Sequence, residues 1–347
     1  MSPASRDPAA RDAAAQDSAT LERRAKALAE KAKTLRAQVG KVILGQDELI
    51  ENLLTAVLAG GHVLLEGLPG LGKTRLVKTL ANCLGLSFAR VQFTPDLMPA
   101  DVTGTRVVDD HAGALRFRFE RGPIFANMVL ADEINRATPK TQSALLEAMA
   151  EAQVTAGGET HALPRPFTVI ATQNPIELEG TFPLPEAQLD RFLYKLVVAT
   201  PGVDDLVRIL GATTATESDA PTPVMTGEEV SELHALAREV LCGEHLLRFV
   251  AELLRATDPT ADDADETTKR FVRYGASPRG GQAIVLAAKV SALLDGRPHV
   301  SRKDLERAAL PALAHRVVLS FEADAENVRV DALLRGWLER AARRAPR

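Results

Sequence analysis

The sequence predicts an α/β fold with a five-stranded parallel sheet, followed by a helical second domain. Short apolar runs typical of buried parallel strands alternate with helical patterns in the first part of the chain. Aromatic residues make up only 4% of the 347 residues, so the cores must be mainly aliphatic. After a segment rich in Thr, Ala, Ser, Asp and Pro, from Gly211 to Pro223, the pattern is helical throughout.

The N-terminal region predicts a disordered tail and then a helix. Residues 1 to about 20 have almost no large apolar side chains, so ordering them would bury too little surface to offset the lost entropy. Helical spacing of Leu and Val from Leu21 to Val39 predicts an amphipathic helix, and Asp47 to Ala59 predicts a second one. The predicted units are 1–38 for tail and helix, 39–205 for the α/β domain, 206–225 for a linker and 226–347 for the helical domain.

Five apolar runs predict the strands of the sheet, and two further pairs of runs predict β-hairpins inserted into it. The predicted strands are Val63 to Leu65, Phe88 to Phe93, Met128 to Ala131, Phe167 to Ala171 and Tyr194 to Val198. The predicted hairpins turn at residues 109–113 and at Gly157-Gly158.

A phosphate-binding loop follows the first strand and opens a helical segment. Its residues are Gly67, Leu68, Pro69, Gly70, Leu71, Gly72, Lys73 and Thr74. Glycines let backbone N–H groups close around a phosphate, and the helix directs its positive end to the same place. Lys73 adds a charge for the outer phosphates, and Thr74 offers a hydroxyl to Mg²⁺. A Gly-rich turn that binds nothing is the alternative.

Two carboxylates end the third predicted strand. Asp132 can hold Mg²⁺ through its water shell, and Glu133 can orient and deprotonate the water that attacks a γ-phosphate. The alternative is an acidic helix start, which the helix dipole also favours.

Three further polar residues are candidates for nucleotide chemistry. Asn174, after the fourth strand, could hydrogen-bond the γ-phosphate and the attacking water, although a turn-forming Asn before Pro175 is an alternative. Arg191, before the fifth strand, is either a surface ion pair or a residue that reaches a neighbouring subunit's nucleotide. Arg279 opens a helix in the second domain, from which it could swing onto the γ-phosphate.

Taken together, these segments resemble the MoxR family of AAA+ ATPases, in the helix-2-insert branch. The resemblance runs from about Val39 to Leu319 and rests on six motifs: GLPGLGKT at 67–74, QFTPD at 92–96, ADEINR at 131–136, ATQNP at 171–175, PLPEAQLDRF at 183–192 and GASPR at 275–279. Phe182 stands where Tyr is commoner in the family, and the first 20 residues have no assigned counterpart.

The resemblance implies a P-loop NTPase core with an all-helical lid, assembled as a hexameric ring that hydrolyses ATP with Mg²⁺. It implies Lys73 and Thr74 as Walker A, Asp132 and Glu133 as Walker B, and Asn174 as sensor 1. It also implies Arg191 as the arginine finger, Arg279 as sensor 2, and Gly45 and Gln46 as adenine contacts. The work implied is chaperone-like remodelling of a protein client or metal-cofactor insertion, beside a partner with a von Willebrand factor A domain.

The amino-acid composition and net charge predict the compartment of the protein and the classes of partner that it does not attract. A net charge of −4 predicts no general attraction to nucleic acid or anionic membrane. Cys83 and Cys242 are the only cysteines, which indicates a reducing compartment and neither a disulfide framework nor a metal site. No long apolar run or signal-peptide core is present, so we expect a cytoplasmic protein without a membrane segment.

Three other functions share this fold. A nucleic-acid motor or loader would use the hairpins to grip phosphates, but Asp109, Asp110 and Glu159 near their tips oppose that, against a modest basic cluster of Arg116, Arg118 and Arg121. A slow nucleotide-state switch would carry the same motifs. So would the motor subunit of a metal chelatase.

Overall fold

The computed structural model describes residues 8–111, 114–156, 158–176, 180–214 and 220–345. Its strands are β1 Val63–Glu66, β2 Phe88–Gln92, β3 Gly104–His111, β4 Ala114–Arg121, β5 Met128–Asp132, β6 Gln153–Ala156, β7 Glu159–Ala162, β8 Thr168–Gln173, β9 Tyr194–Val197, β10 Val272–Tyr274 and β11 Val318–Leu319. Its α-helices are α1 Pro8–Val42, α2 Asp47–Leu58, α3 Lys73–Cys83, α4 Pro99–Thr103, α5 Pro139–Glu151, α6 Glu186–Leu189, α7 Val203–Thr214, α8 Gly227–Glu239, α9 Glu244–Ala256, α10 Glu266–Phe271, α11 Pro278–Leu294, α12 Arg302–Leu313, α13 Phe321–Ala325 and α14 Val330–Arg344.

The central sheet has the strand order β2-β5-β8-β1-β9, and all its pairings are parallel. The five predicted parallel strands are therefore confirmed. Alternate side chains of each strand face opposite sides of the sheet, so Val63 and Leu65 enter one apolar core while Leu64 enters the other. The carboxyl ends of β1, β5 and β8 lie side by side at one end of the sheet, here called its carboxyl edge. The loops that follow these strands are therefore brought together.

Two antiparallel hairpins project from this domain, as predicted. β3 pairs with β4, and β6 pairs with β7. The hairpins lie side by side, because Phe119 stacks on His161 with ring centroids 3.9 Å apart and Arg106 pairs with Glu159 at 2.6 Å.

The structure differs from the sequence predictions in three segments. Helix α1 begins at Pro8, so residues 8–20 are helical where a disordered tail was predicted; the segment is rich in Ala, the best helix former. Helix α7 occupies residues 203–214, so it begins at the end of the predicted α/β domain and continues into the first half of the predicted linker. The lid is not all-helical, because β10 and β11 form a short antiparallel ribbon.

The lid contains α8 to α14 and packs beside the sheet domain. Helix α1 contacts both α3 of the sheet domain and α11 of the lid, with Leu28, Leu35 and Val39 buried. It therefore braces the two domains. Across the described ranges, no helix combines the length and the apolar composition that a membrane span requires.

Candidate active site

The phosphate-binding loop lies between the end of β1 and the start of α3. Gly70 and Gly72 have φ values of +82° and +76°, a left-handed region that side chains with a Cβ avoid. Gly72 is also the N-cap of α3, so the loop turns directly into the positive end of that helix. The loop therefore presents its backbone N–H groups to an anion at the carboxyl edge of the sheet.

Lys73 is the first residue of α3, and its ammonium group lies over the loop. Its Nζ donates to the carbonyl oxygens of Gly67 at 2.5 Å and Leu68 at 2.9 Å. Burial lowers the pKa of Lys73, while the carboxylates of Asp132 and Glu133 act in the opposite direction. The structure thus brings the lysine and both predicted carboxylates into one electrostatic environment.

Asp132 ends β5 and is only 8% exposed. Its Oδ1 accepts a hydrogen bond from Thr172 Oγ1 at 2.7 Å, and its Oδ2 accepts from Arg90 Nε at 3.0 Å and Nη2 at 2.6 Å. Thr172 and Arg90 are on β8 and β2, the two neighbours of β5. The carboxylate is consequently held from both sides of its strand.

Glu133 has the left-handed backbone conformation, with φ 57° and ψ 50°, which is uncommon for a residue with a side chain. Its N–H donates to Thr172 Oγ1 at 2.8 Å, and its carboxylate accepts from Gln92 Nε2 at 2.7 Å and Arg136 Nη1 at 3.1 Å. Such strain persists only where surrounding contacts maintain it, and these hydrogen bonds are contacts of that kind.

Asn174 lies just beyond β8 and is 5% exposed. Its Oδ1 accepts from the N–H of Ile176 at 3.3 Å, whereas its buried Nδ2 has no hydrogen-bond partner within the described ranges. An unsatisfied buried donor costs about 1–3 kcal/mol. A phosphate oxygen or a water bound at this edge would satisfy it, which fits the predicted contact.

The hydrogen bonds of Asp132 leave room for a magnesium ion held through water, the role predicted for this carboxylate together with Thr74. A carboxylate has about four lone-pair sites, and the contacts from Arg90 and Thr172 use three of them. One site on Oδ1 therefore remains for a metal-bound water. The Arg90 charge reduces the negative potential at Asp132, so a direct and tight metal bond is not favoured.

A cleft of about 600 Å³ adjoins the loop between the end of α1 and helix α7. Its walls include Ile43, Gln46, Leu71, Leu206 and Ile209. An apolar slot beside a phosphate-binding loop suits a nucleotide base.

The two predicted adenine contacts are Gln46, which lines this cleft, and Gly45, which precedes Gln46 in the chain. Gly45 has φ +71°, and a Cβ at that position would lie 2.3 Å from the carboxyl carbon of Asp205. Gly45 therefore allows α7 to approach closely.

The cleft yields a prediction for α7. Leu206→Asp places a carboxylate in the apolar wall, so we expect the KM for ATP to rise about 10-fold, the equivalent of about 1.4 kcal/mol of binding. The kcat should stay within about two-fold, because the chemistry is elsewhere. Leu210→Asp, one turn further along at a position 61% exposed and outside the cleft, is the matched control. Equal KM values for both variants would contradict the assignment.

The structure does not bring Arg191 and Arg279 to this edge. Arg191 is exposed, precedes β9, and donates to the Leu146 carbonyl at 3.3 Å. Arg279 pairs with Asp190 at 3.6 Å, and both arginines line a cleft of about 340 Å³ beside Gly60 and Gly61.

That cleft is at the amino-terminal ends of β1 and β9. A four-residue strand spans about 13 Å, so Arg279 is far from the phosphate-binding loop of its own chain. Within one chain, this placement does not bring Arg279 to the γ-phosphate contact that the sequence predicts for it.

Sequence reasoning gave no role to Arg90, Gln92 and Thr172, which hold the two carboxylates, although Gln92 and Thr172 belong to the motifs at 92–96 and 171–175. The alternation in β2 was a usable signal, because Arg90 and Gln92 are polar residues two apart and therefore share one face of the strand. Thr172 gave a weaker signal: it is one of two buried threonines in β8, with Thr168, and it lies at the polar end of the strand, before Gln173.

Comparisons with known proteins agree with this architecture. Residues 62–194 match the model of the ATPase family associated with various cellular activities (AAA), and residues 264–336 match an AAA lid domain. The chain is 41% identical to Chaperone MoxR1 of Mycobacterium tuberculosis over 92% of this chain and 84% of that protein. It is 35% identical to Protein MoxR of Paracoccus denitrificans, over 82% and 87% respectively.

A crystal structure from Cytophaga hutchinsonii, of a protein assigned as an ATPase, superposes with a TM-score of 0.86 at 38% identity. The match covers 92% of this chain and 97% of that one.

Proposed function

This chain belongs to the MoxR family of AAA+ ATPases, and we propose that it hydrolyses ATP within a hexameric ring to remodel or mature protein complexes. One observation carries the proposal. The phosphate-binding loop, carboxylates and Asn174 converge at one edge of the sheet, while Arg191 and Arg279 lie at the opposite edge. A single chain therefore has an incomplete site, and a neighbouring copy can complete it.

Within one chain, the residues have separable roles. The loop N–H groups and Lys73 bind and orient the phosphates, and Glu133 takes the proton from the attacking water. Asn174 Nδ2 orients that water or the γ-phosphate. Magnesium, bound by Thr74 and through water by Asp132, would neutralise phosphate charge.

Arg191 and Arg279 would act on the nucleotide of the adjacent subunit. Both carry side chains that are largely exposed, 61% in the case of Arg279, and both face one cleft. In a head-to-tail ring, the cleft with Arg191 and Arg279 of one copy lies against the phosphate-binding loop of the next copy. Cationic groups there stabilise charge that develops during phosphoryl transfer.

We propose that the ring acts on protein clients in the cytoplasm. The similarity to Chaperone MoxR1 supports a protein client, and a von Willebrand factor A domain protein is the proposed partner. Insertion of a metal cofactor into that client is the narrower form of the proposed maturation.

Charges on the hairpins support a protein client over a nucleic acid. Arg118 pairs with Glu120 at 3.1 Å, and Arg106 with Glu159 at 2.6 Å, so these cations are already neutralised. Three further charged residues of this hairpin, Asp109, Asp110 and Arg116, lie outside the part of the chain whose side chains the structure describes. Few unpaired charges remain along the described strands to release counterions from a phosphate backbone.

We therefore expect the ATPase rate to be unaffected by single-stranded DNA, duplex DNA or RNA at about 0.15 M salt. Stimulation should come from a protein partner, isolated by ATP-dependent capture on a Glu133→Gln chain and added back to the parent chain. Lys73→Ala, which should not bind ATP, is the capture control. A several-fold stimulation by nucleic acid that falls steeply with salt would favour the motor instead, with Arg116, Arg118 and Arg121 as its contacts.

A further inference from the structure

A buried arginine of the lid makes several hydrogen bonds to the segment that carries Arg191. Arg316 follows α12 in the lid and is 9% exposed. Its guanidinium makes five hydrogen bonds: Nε to Asp190 Oδ1 at 2.7 Å, and the two terminal nitrogens to the carbonyl oxygens of Leu193, Ala312, Asp190 and Phe192 at 3.1, 2.5, 2.9 and 2.7 Å. All N–H donors of the arginine are thereby used.

Asp190 receives further lid contacts. Ser277 is at the N-cap position of α11, but its hydroxyl donates to both carboxylate oxygens of Asp190 at 3.3 Å instead of capping the helix. Arg279, two residues later, pairs with the same carboxylate at 3.6 Å. One carboxylate of the sheet domain thus contacts three lid side chains.

A fourth lid side chain bonds the residue that follows Arg191. His315 Nε2 donates to the Phe192 carbonyl at 2.9 Å. Burial, together with the charge of Arg316, lowers the pKa of His315 to about 3, so the ring is neutral at physiological pH. The residues before and after Arg191 are therefore both bonded to the lid, while Arg191 itself is exposed.

We propose that Asp190, Ser277 and Arg316 form a lid clamp that positions Arg191 and Arg279 together for a neighbouring subunit's nucleotide. The proposal rests on the proposed function, since it needs both arginines to act between subunits. The clamp couples the positions of the two arginines, so a change of lid position would move both at once.

The test uses Asp190→Asn, which keeps the side-chain shape and the backbone carbonyls that Arg316 contacts but removes the charge. ATP affinity should stay within about two-fold of the parent, whereas kcat should fall between about 10-fold and 100-fold through misplaced arginines. Mixing this variant with Lys73→Ala subunits should restore turnover, because the Asp190→Asn chain retains a sound nucleotide edge. Mixing it with Arg191→Ala should restore none.

Asp304→Asn is the matched control. Asp304 is 2% exposed and accepts two bonds from Arg297 at 2.9 and 2.7 Å, a buried ion pair within the lid that does not touch residues 190–193. We expect it to lower the unfolding temperature at least as much as Asp190→Asn does. Turnover per folded subunit should nevertheless stay near the parental value, because the clamp is intact.

A second measurement does not depend on ATPase activity. Spin labels at the exposed positions Glu147 on α5 and Gln282 on α11, with Cys83 and Cys242 replaced by alanine, report the distance between sheet domain and lid in dipolar EPR. The clamp predicts a narrow distribution that broadens or shifts in Asp190→Asn and does not change in the Asp304→Asn control.

The outcomes separate the two proposals. A parental rate and an unchanged EPR distribution in Asp190→Asn would overturn the clamp. A parental rate in Arg191→Ala would instead refute the intersubunit function and with it the positioning role. If Asp190→Asn does not fold, Ser277→Ala decides: a broadened distribution and a lower kcat support the clamp, and parental values of both contradict it.

Discussion

Replacing Arg191 with alanine should lower the ATPase rate about 1,000-fold while ATP binding is retained, the loss expected for a cation that stabilises phosphoryl transfer. The structure supports the separation of the two effects, because Arg191 is at the opposite edge of the sheet from the phosphate-binding loop of its own chain. Turnover and the Kd of a fluorescent ATP analogue, measured on the same preparation, give both quantities.

Two controls test whether Arg191 acts between chains. Activity per subunit in the parent protein should rise with protein concentration as rings assemble. Arg191→Ala mixed with Lys73→Ala should recover part of the turnover, because each supplies what the other lacks. A parental rate that is independent of concentration, together with no recovery on mixing, would rule out a shared site.

The second large effect is expected at Glu133, at the carboxyl edge of the sheet. Glu133→Gln should retain ATP binding and lose hydrolysis at least about 100-fold, because only the base for the attacking water is removed. Gln keeps the size of the side chain and can still contact Gln92. Lys73→Ala should lose binding itself, since it removes the charge nearest the outer phosphates.

Single-turnover hydrolysis and equilibrium binding distinguish these variants. The informative control is Arg136→Ala, which removes a cation 3.1 Å from the Glu133 carboxylate without removing the base. Its rate should stay closer to the parent than that of Glu133→Gln. If Glu133→Gln hydrolyses ATP at the parental rate, another group is the base.

Local sequence patterns were sufficient to predict the five strands, both hairpins and the group of polar residues at the carboxyl edge of the sheet. Strand periodicity is local, and a parallel strand places whatever follows it at the carboxyl edge. Lys73, Asp132, Glu133 and Asn174 could therefore be predicted to lie together. Residues 8–20 are helical against the prediction of a tail, because alanine favours a helix even where few apolar side chains can be buried.

A phosphate-binding α/β domain with two carboxylates at a strand end could be predicted from local patterns, because those features depend on neighbours a few residues apart. The position of Arg279 and the groups that hold the carboxylates follow from tertiary packing. Arg279 and Asp190 are far apart in sequence, as are Arg90 and Asp132, and their contacts depend on how the lid packs and on the order of the strands. Such contacts form only when distant segments pack, so no local pattern encodes them.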